Sequence, residues 1–210
     1  MPRAATHAFG PVSRLERALD QAARTLDALA AGWALVGGLA VSVRTEPRFT
    51  RDIDIAVSVT DDAEAEALIR EHRTGGHEVV ALVEQEGTDR LATARLVPPG
   101  EDEGGIVLDL LFASSGVEPE IVAAADRLDV MVGLELPVAQ TGHLIATKLL
   151  AEDEDRSTDR ADLAALLAVA GPAELDRARV AVRLISERGF DRGRDLGGAL
   201  ETLLAGRTHS

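Results

Sequence analysis

The sequence predicts an α+β fold: a region of interleaved strands and helices, followed by a C-terminal helical region. Three observations carry this expectation. Strand-like and helix-like patterns are interleaved as far as residue 138, only helical periodicity remains from Thr141 onward, and no linker-like composition separates the two stretches. The expected organisation is an α/β core over 1–138 with the helical region 139–210 packed on it.

Each element has a local reason. Ser13 followed by Glu16 reads as a capping box, after which Leu15, Leu19, Ala22, Leu26 and Leu29 recur at helical spacing. Residues 33–36 are a short apolar run ending at Gly37 and Gly38, and 39–44 can form a brief helix. Residues 51–59 alternate in the manner of a strand. Asp61 with Glu64 caps a helix that stops before Gly75 and Gly76. Strand patterns follow over 78–84 and 90–97, and an acidic turn over 101–105 leads into a third, apolar strand over 106–113. Residues 128–132 and 134–138 can pair as a hairpin about Gly133. Beyond them lie helices over about 143–152, 159–169 and 173–188, the last after the Gly171–Pro172 break, and a short one near 196–204.

Composition narrows the function. Of the 210 residues, 46% are apolar and 28% charged, which excludes wholesale disorder. With no cysteine there is no disulfide framework, thiol nucleophile or cysteine-bound metal. The only aromatics are Phe9, Trp33, Phe49, Phe112 and Phe190, too few for a row of base-stacking platforms. A formal charge of −14 argues against a uniformly basic nucleic-acid coat. The longest apolar stretch, 28–43, contains Gly32, Gly37, Gly38 and Ser42 and falls short of the roughly 20 residues a membrane span needs. With no targeting pattern visible, a cytoplasmic location without membrane attachment is expected. Charge is uneven: residues 1–51 and 177–210 each carry seven arginines against four acids, while 52–109 holds fifteen acids. An anionic partner would therefore meet the two ends. Among the 22 basic residues the only lysine is Lys148.

The residues that can do chemistry lie in a definite order. Asp52 and Asp54 are two apart in a strand, so both carboxylates leave the same face while Ile53 and Ile55 turn to the core. Two like charges held so close call for cations, and a pair of magnesium ions is the natural occupant, although two solvated acids on a strand edge are the commoner meaning of a bare D-x-D. Asp109 is the only polar side chain in 106–113 and needs either a metal or an arginine if buried; beside the first strand it would complete a three-carboxylate site. Gly37 and Gly38 let backbone approach a phosphate. Lys148 offers a compact charge to a triphosphate, or pairs with Glu152 on its own helix. Arg48, Thr50 and Arg51 can approach a phosphate or neutralise nearby acids. Asp159 and Asp162 read mainly as helix-start residues, and His143 as structural.

Taken together, the segment from Trp33-Ala-Leu-Val-Gly-Gly to Arg-Asp-Ile-Asp54 resembles the signature of polymerase-β-type nucleotidyltransferases, and more closely that of the AbiEii/AbiGii toxin family. Thr141-Gly-His-Leu-Ile-Ala-Thr-Lys148 and Asp159-Arg-Ala-Asp-Leu163 are similar to that family's lysine helix and aspartate motif. The resemblance implies the nucleotidyltransferase fold, a mixed, twisted β-sheet flanked by helices, with Gly37 and Gly38 cradling a nucleoside triphosphate and Lys148 binding it; Arg48 and Arg51, placed just before the aspartates, are expected to bind the nucleotide as well. It implies two Mg2+ ions held by Asp52, Asp54 and Asp109, the last also helping to activate an acceptor hydroxyl. The implied reaction is transfer of a nucleoside monophosphate with release of pyrophosphate. The implied setting is a toxin of a toxin–antitoxin or abortive-infection pair acting on tRNA or other RNA ends, with a cognate antitoxin as possible partner. Two alternatives are the same chemistry on a small cationic molecule or protein hydroxyl, which the acidic middle favours, and a non-catalytic nucleotide-binding module. Position 39 is leucine where many of the superfamily carry serine or threonine, leaving backbone N–H groups to meet the phosphates there.

Overall fold

The computed structural model describes residues 13–85, 90–151 and 157–207. The chain runs α1 (Arg14–Ala28), β1 (Gly32–Val36), α2 (Gly37–Arg44), β2 (Asp52–Ser58), α3 (Asp62–Thr74), β3 (Glu78–Gln85), β4 (Arg90–Val97), β5 (Val107–Leu111), α4 (Glu118–Ala123), β6 (Asp126–Met131) and β7 (Leu134–Val138). It ends in α5 (Thr141–Ala151), α6 (Ser157–Val169), α7 (Pro172–Glu187) and α8 (Leu196–Arg207). The strands form one sheet in the order β3-β4-β5-β2-β1-β7-β6. Pairs β2–β5 and β1–β7 are parallel and the others antiparallel, so the sheet is mixed, as expected from the sequence.

Local signals work as their chemistry dictates. Ser13 Oγ accepts from the Glu16 N–H at 3.0 Å and Glu16 Oε2 accepts from the Ser13 N–H at 3.4 Å, closing the capping box. Asp61 Oδ1 caps α3 by accepting from the Glu64 N–H. On β2 the alternation is complete: Ile53, Ile55 and Val57 are fully buried, while Asp52, Asp54 and Ala56 line a cleft on the other face. The core is one continuous apolar cluster, from Leu19 and Leu26 through Leu35, Ile53 and Leu108 to Ile145, Leu149 and Ile185. Each such side chain contributes about 1.5–3 kcal/mol over exposure. The C-terminal helices thus share the sheet's core, α5 packing against α2, α6, α7 and α8.

Element ends shift by up to three residues from expectation, and one helix is additional. The six-residue α4 has no sequence counterpart; Glu-Pro-Glu-Ile-Val-Ala is too short to show a period, and Pro119 in its first turn was the one available sign. Helix α5 begins at Thr141, two residues earlier than the apolar run suggests, and its expected last residue, Glu152, lies outside the described residues. Among the described residues no helix is long and apolar enough to cross a membrane.

Candidate active site

Strand register assembles the carboxylates. Asp54 is aligned with Asp109 across the parallel pair β2–β5, Arg95 is aligned with Asp109 across β4–β5, and Val36 with Asp54 across β1–β2. A row Arg95–Asp109–Asp54–Val36 therefore crosses the sheet, with Asp52 two residues along on the same face. Asp109 is 6% exposed. Its need for a partner is met by Arg95, whose Nε donates to Oδ1 at 2.9 Å and Nη2 to Oδ2 at 2.7 Å. The arginine alternative left open for Asp109 is thus the one displayed here. Asp54 has no such cation. Burial, then the charges of Asp109 and Asp52, push its carboxyl up to about 7, against the pull of Lys148 and the Gly38 N–H. A hard divalent cation would relieve that crowding, so Asp52 and Asp54 fit one. The three acids do not already surround one point: among the described residues no group of three or more such side chains is set to hold an ion. Arg95 would have to leave Asp109 for it to join.

Gly37 is required by this row, and Gly38 sits against its neighbours. Gly37 opens α2 at φ +61°, and a Cβ there would lie 1.9 Å from Asp54 Oδ2. At Gly38 a Cβ would lie 2.6 Å from Arg48 Nη2 and 3.3 Å from Thr50 Oγ1. Backbone, guanidinium and hydroxyl crowd together at the start of α2 beside the carboxylates. Leu39 turns the other way, into the core at 7% exposure. Thr50 Oγ1 accepts from the Asp52 N–H at 3.3 Å, which leaves its own proton available to the cleft it lines.

Lys148 is held between helices. Its Nζ donates to Asp159 Oδ1 and lies 2.8 Å from that atom and from Asp162 Oδ2. Asp162, in turn, takes Arg48 Nε and Nη2 at 2.7 Å each. Asp159 does lie in the first turn of α6, as expected, but the helix-start reading misses the main contacts: Asp159 and Asp162 are the buried carboxylates of a four-residue ion network joining the α2–β2 loop, α5 and α6. Lys148 reaches 11 and 14 residues onward to these acids; the other partner expected for it, Glu152, lies outside the described residues. Burial disfavours the charged amine, but the hydrogen bonds to Asp159 and Asp162 outweigh it and hold the ammonium above its ordinary pKa. For Asp162, burial is overcome by Arg48 and Lys148, and its pKa is lowered. Arg51 lies apart: its Nη1 donates to the Gly104 carbonyl at 3.1 Å, and its guanidinium sits 5.5 Å from the Phe49 ring centre.

These groups line a cleft of about 820 Å³ that extends over the sheet face to Ala81 and Val83 of the edge strand β3. Gly37, Gly38, Arg48, Asp52, Asp54, Asp109 and Lys148 are all brought to it; Arg51 is not. Sequence reasoning missed Arg95, Glu118 and Arg192 on its walls. The signal for Arg95 was its place two residues after Thr93 on a strand, which becomes informative only once the β4–β5 register is known. Glu118 is 1% exposed, its Oε1 accepting from the N–H and hydroxyl groups of both Ser114 and Ser115. His143 is buried away from the cleft, and burial is the main reason its pKa falls to about 4.

A family model described as "Nucleotidyl transferase AbiEii toxin, Type IV TA system" matches residues 17–207. No curated protein matches the chain. Among solved structures, ANT(2")-Ia in complex with adenylyl-2"-tobramycin is 16% identical over 81% of this chain and 95% of that chain, with a TM-score of 0.51. An antigenic nucleotidyltransferase-like protein from Paracoccidioides brasiliensis is 20% identical over 91% and 95%, with a TM-score of 0.48. MenT4, a nucleotidyltransferase toxin from Mycobacterium tuberculosis H37Rv, is 17% identical over 90% and 92%, with a TM-score of 0.38. At 16% identity the likeness to ANT(2")-Ia speaks for the fold alone.

Proposed function

The chain belongs to the AbiEii nucleotidyltransferase toxin family, and from that membership and the cleft we propose that it transfers a nucleoside monophosphate from a nucleoside triphosphate to an acceptor hydroxyl at an RNA end, that of tRNA. As a member of that family it is a nucleotidyltransferase. The observation that carries the finer reading is the alignment of Asp54 with Asp109 across β2–β5, with Asp52 on the same face and the Gly37–Gly38 backbone against it.

Each residue then has a physical task. Gly37 and Gly38 bring main-chain N–H groups to the phosphates where no side chain fits. Thr50 donates its hydroxyl proton, and Lys148 and Arg48 place positive charge along the triphosphate. Asp52 and Asp54, with Asp109 once freed from Arg95, are the oxygen ligands for divalent cations, for which Mg2+ is the proposed ion. A metal held there would neutralise developing phosphate charge and make the acceptor oxygen more nucleophilic. The acceptor oxygen forms a bond to the α-phosphorus, the bond from that phosphorus to the β-phosphate bridge breaks, and pyrophosphate departs. The hydroxyl proton passes to the Asp109 carboxylate. Positioning and charge neutralisation supply most of the rate. The reach of the cleft along the sheet to Ala81 and Val83 of edge strand β3 supports a large acceptor.

A second reading has its own observation. Asp52, Asp54, Asp109, Glu118 and Asp159 all line the cleft, and this acidity favours a small cationic acceptor such as an aminosugar. Incubation with each α-labelled nucleoside triphosphate and Mg2+, with and without total RNA and an aminoglycoside, separates the two. A labelled band of tRNA size that vanishes in Asp52→Asn is the expected outcome. Labelling of the aminoglycoside alone would favour the second reading, and labelling unchanged in Asp52→Asn would overturn the assignment of the site.

A further inference from the structure

The arginine excess of the C-terminal segment is largely spent within the protein. Arg177 pairs with Glu174, Arg179 with Asp176 and Glu201, and Arg183 with Glu187. Arg188 holds Glu120 through both carboxylate oxygens and donates to the Gly116 carbonyl. In the cleft the same is true of Arg48, Arg95 and Lys148, each facing a carboxylate. The Arg48–Lys148–Asp159–Asp162 set and the Arg95–Asp109 pair both sum to zero charge. One cation lining the cleft stands outside this pairing: among the described residues Arg192 makes neither an ion pair nor a hydrogen bond.

Arg192 is also held in an unusual backbone state. It sits at φ +57°, the left-handed region that a long L side chain rarely adopts. In the same α7–α8 turn, Gly189 at φ +78° and Gly193 at φ +72° meet that demand with glycine. The turn is fixed at several points. Asp191 Oδ1 accepts from the Gly193 N–H at 3.0 Å, Arg194 Nη1 donates to the Leu150 carbonyl at 3.1 Å, and Phe190 packs so close to Gly116 that a Cβ there would lie 2.5 Å from its ring. The segment is thereby fastened to the end of α5 and to the loop before α4, the two walls between which Arg192 meets the cleft. Strain maintained by such anchors, at a residue whose side chain satisfies nothing inside the protein, points to a ligand.

We propose that Arg192 is a phosphate-binding residue of this cleft, its guanidinium delivered by the α7–α8 turn to a phosphate group of the substrate. The fork of a guanidinium matches two phosphate oxygens, and every other cation at hand is already balanced by an acid. The phosphate belongs to the nucleoside triphosphate or to a nucleic-acid acceptor. The proposal rests on the nucleotidyl-transfer reading of the cleft.

Arg192→Gly tests it directly, because glycine removes both the charge and the backbone strain. Binding of magnesium tripolyphosphate is measured by calorimetry and binding of tRNA by fluorescence anisotropy across a salt series, alongside thermal melts of wild type, Arg192→Gly and Arg192→Gln. The variants are expected to bind at least one probe about tenfold more weakly, and Arg192→Gly to melt no lower than wild type. If tRNA is the affected probe, the slope of log affinity against log salt falls by about 0.7–0.9. Loss confined to tripolyphosphate assigns the nucleotide; loss confined to tRNA assigns the acceptor. Wild-type affinity for both probes in Arg192→Gln, or no binding of either probe by the wild type, overturns the proposal. Normal α-label transfer alongside unchanged binding in the variants would sink Arg192 and leave the nucleotidyl-transfer reading standing. Absent transfer by the wild type with phosphate binding lost in the variants would do the reverse.

Discussion

Asp54 and Asp109 are register partners across parallel strands β2 and β5, yet only Asp109 has a guanidinium, with Arg95 on both its oxygens at 2.9 and 2.7 Å. Neighbouring carboxylates in one row are thus in opposite electrostatic situations. Asp109 is compensated within the protein, whereas Asp54 keeps its proton to about pH 7 because desolvation at its half-buried position, then the charges of Asp109 and Asp52, disfavour its carboxylate.

That raised value makes Asp54 a stability switch with a known sign. A carboxyl whose folded pKa lies above its ordinary 3.8 contributes stability that is present below that value and lost as pH rises through about 7. The metal-free wild type is expected to weaken across this window. Asp54→Asn, which cannot ionise, should then melt higher than wild type in chelator at about pH 8, by on the order of 1 kcal/mol or roughly 2–4 °C. It should also lose the rise in melting temperature that Mg2+ gives the wild type. Thermal melts with chelator and with Mg2+ across the pH range check both; a variant still stabilised by Mg2+ as the wild type is would remove Asp54 from the proposed metal ligands.

Arg95 leads to a paired expectation. Its side chain is half exposed, but the Asp109 carboxylate beneath it is 9% exposed, so Arg95→Gln leaves a buried acid without its cation. The cost should be about 1–3 kcal/mol in chelator. Mg2+ should restore more stability to Arg95→Gln than it adds to wild type, because Asp109 is then free to join Asp52 and Asp54. Equal Mg2+ responses in the two proteins would mean that Asp109 is not a metal ligand.

Much of this arrangement was legible in the sequence, and the limits have physical reasons. The D-x-D alternation told which face Asp52 and Asp54 share, because strand periodicity is local. That Asp109 is buried followed from the apolar run around it. Its partner did not, since Arg95 meets Asp109 only through the β4–β5 register, a non-local pairing. The same applies to Asp162: at the start of a helix an acid looks like a cap, and only the packing of α6 on α5 brings it to Lys148 and Arg48. Helix α4 escaped because six residues carry no period. Arg192 escaped because a left-handed turn at a non-glycine residue leaves no compositional mark.

Two buried histidines give an acid-side expectation remote from the cleft. His72 Nδ1 lies 2.9 Å from the Leu68 carbonyl and His77 Nδ1 3.1 Å from the His72 carbonyl, which places the proton on Nδ1 in each ring. Their Nε2 atoms are buried without partners, and the ring centres are 5.1 Å apart. Burial, then the neighbouring His72, lowers His77 to about 4, and burial lowers His72 as well. A lowered histidine pKa means stability that is complete above about 6.5 and lost as pH falls toward 4. Denaturant unfolding in steps between those values should show a loss of a few kcal/mol, and His77→Phe should flatten part of it. His143, also lowered to about 4, keeps the remainder in place. An unchanged pH slope in His77→Phe would show that this pair does not titrate on unfolding.

Lys148 serves structure and substrate at once, and the two roles can be separated. Removing the ammonium takes from Asp159 and Asp162, 8% and 2% exposed, the cation they share, while Arg48 still pairs with Asp162. Breaking such a buried network costs about 3–5 kcal/mol, so Lys148→Met should be clearly destabilised. Adding Asp159→Asn removes the uncompensated charge and should return part of that stability. If Lys148 also grips the triphosphate, the double variant should still show a nucleotide KM raised roughly tenfold or more, because a restored network supplies no cation to the phosphates. Recovery of stability together with wild-type KM would reduce Lys148 to a tie between α5 and α6. Recovery of stability without recovery of KM is the expected result, measured by melts and by initial rates at a temperature where both variants are folded.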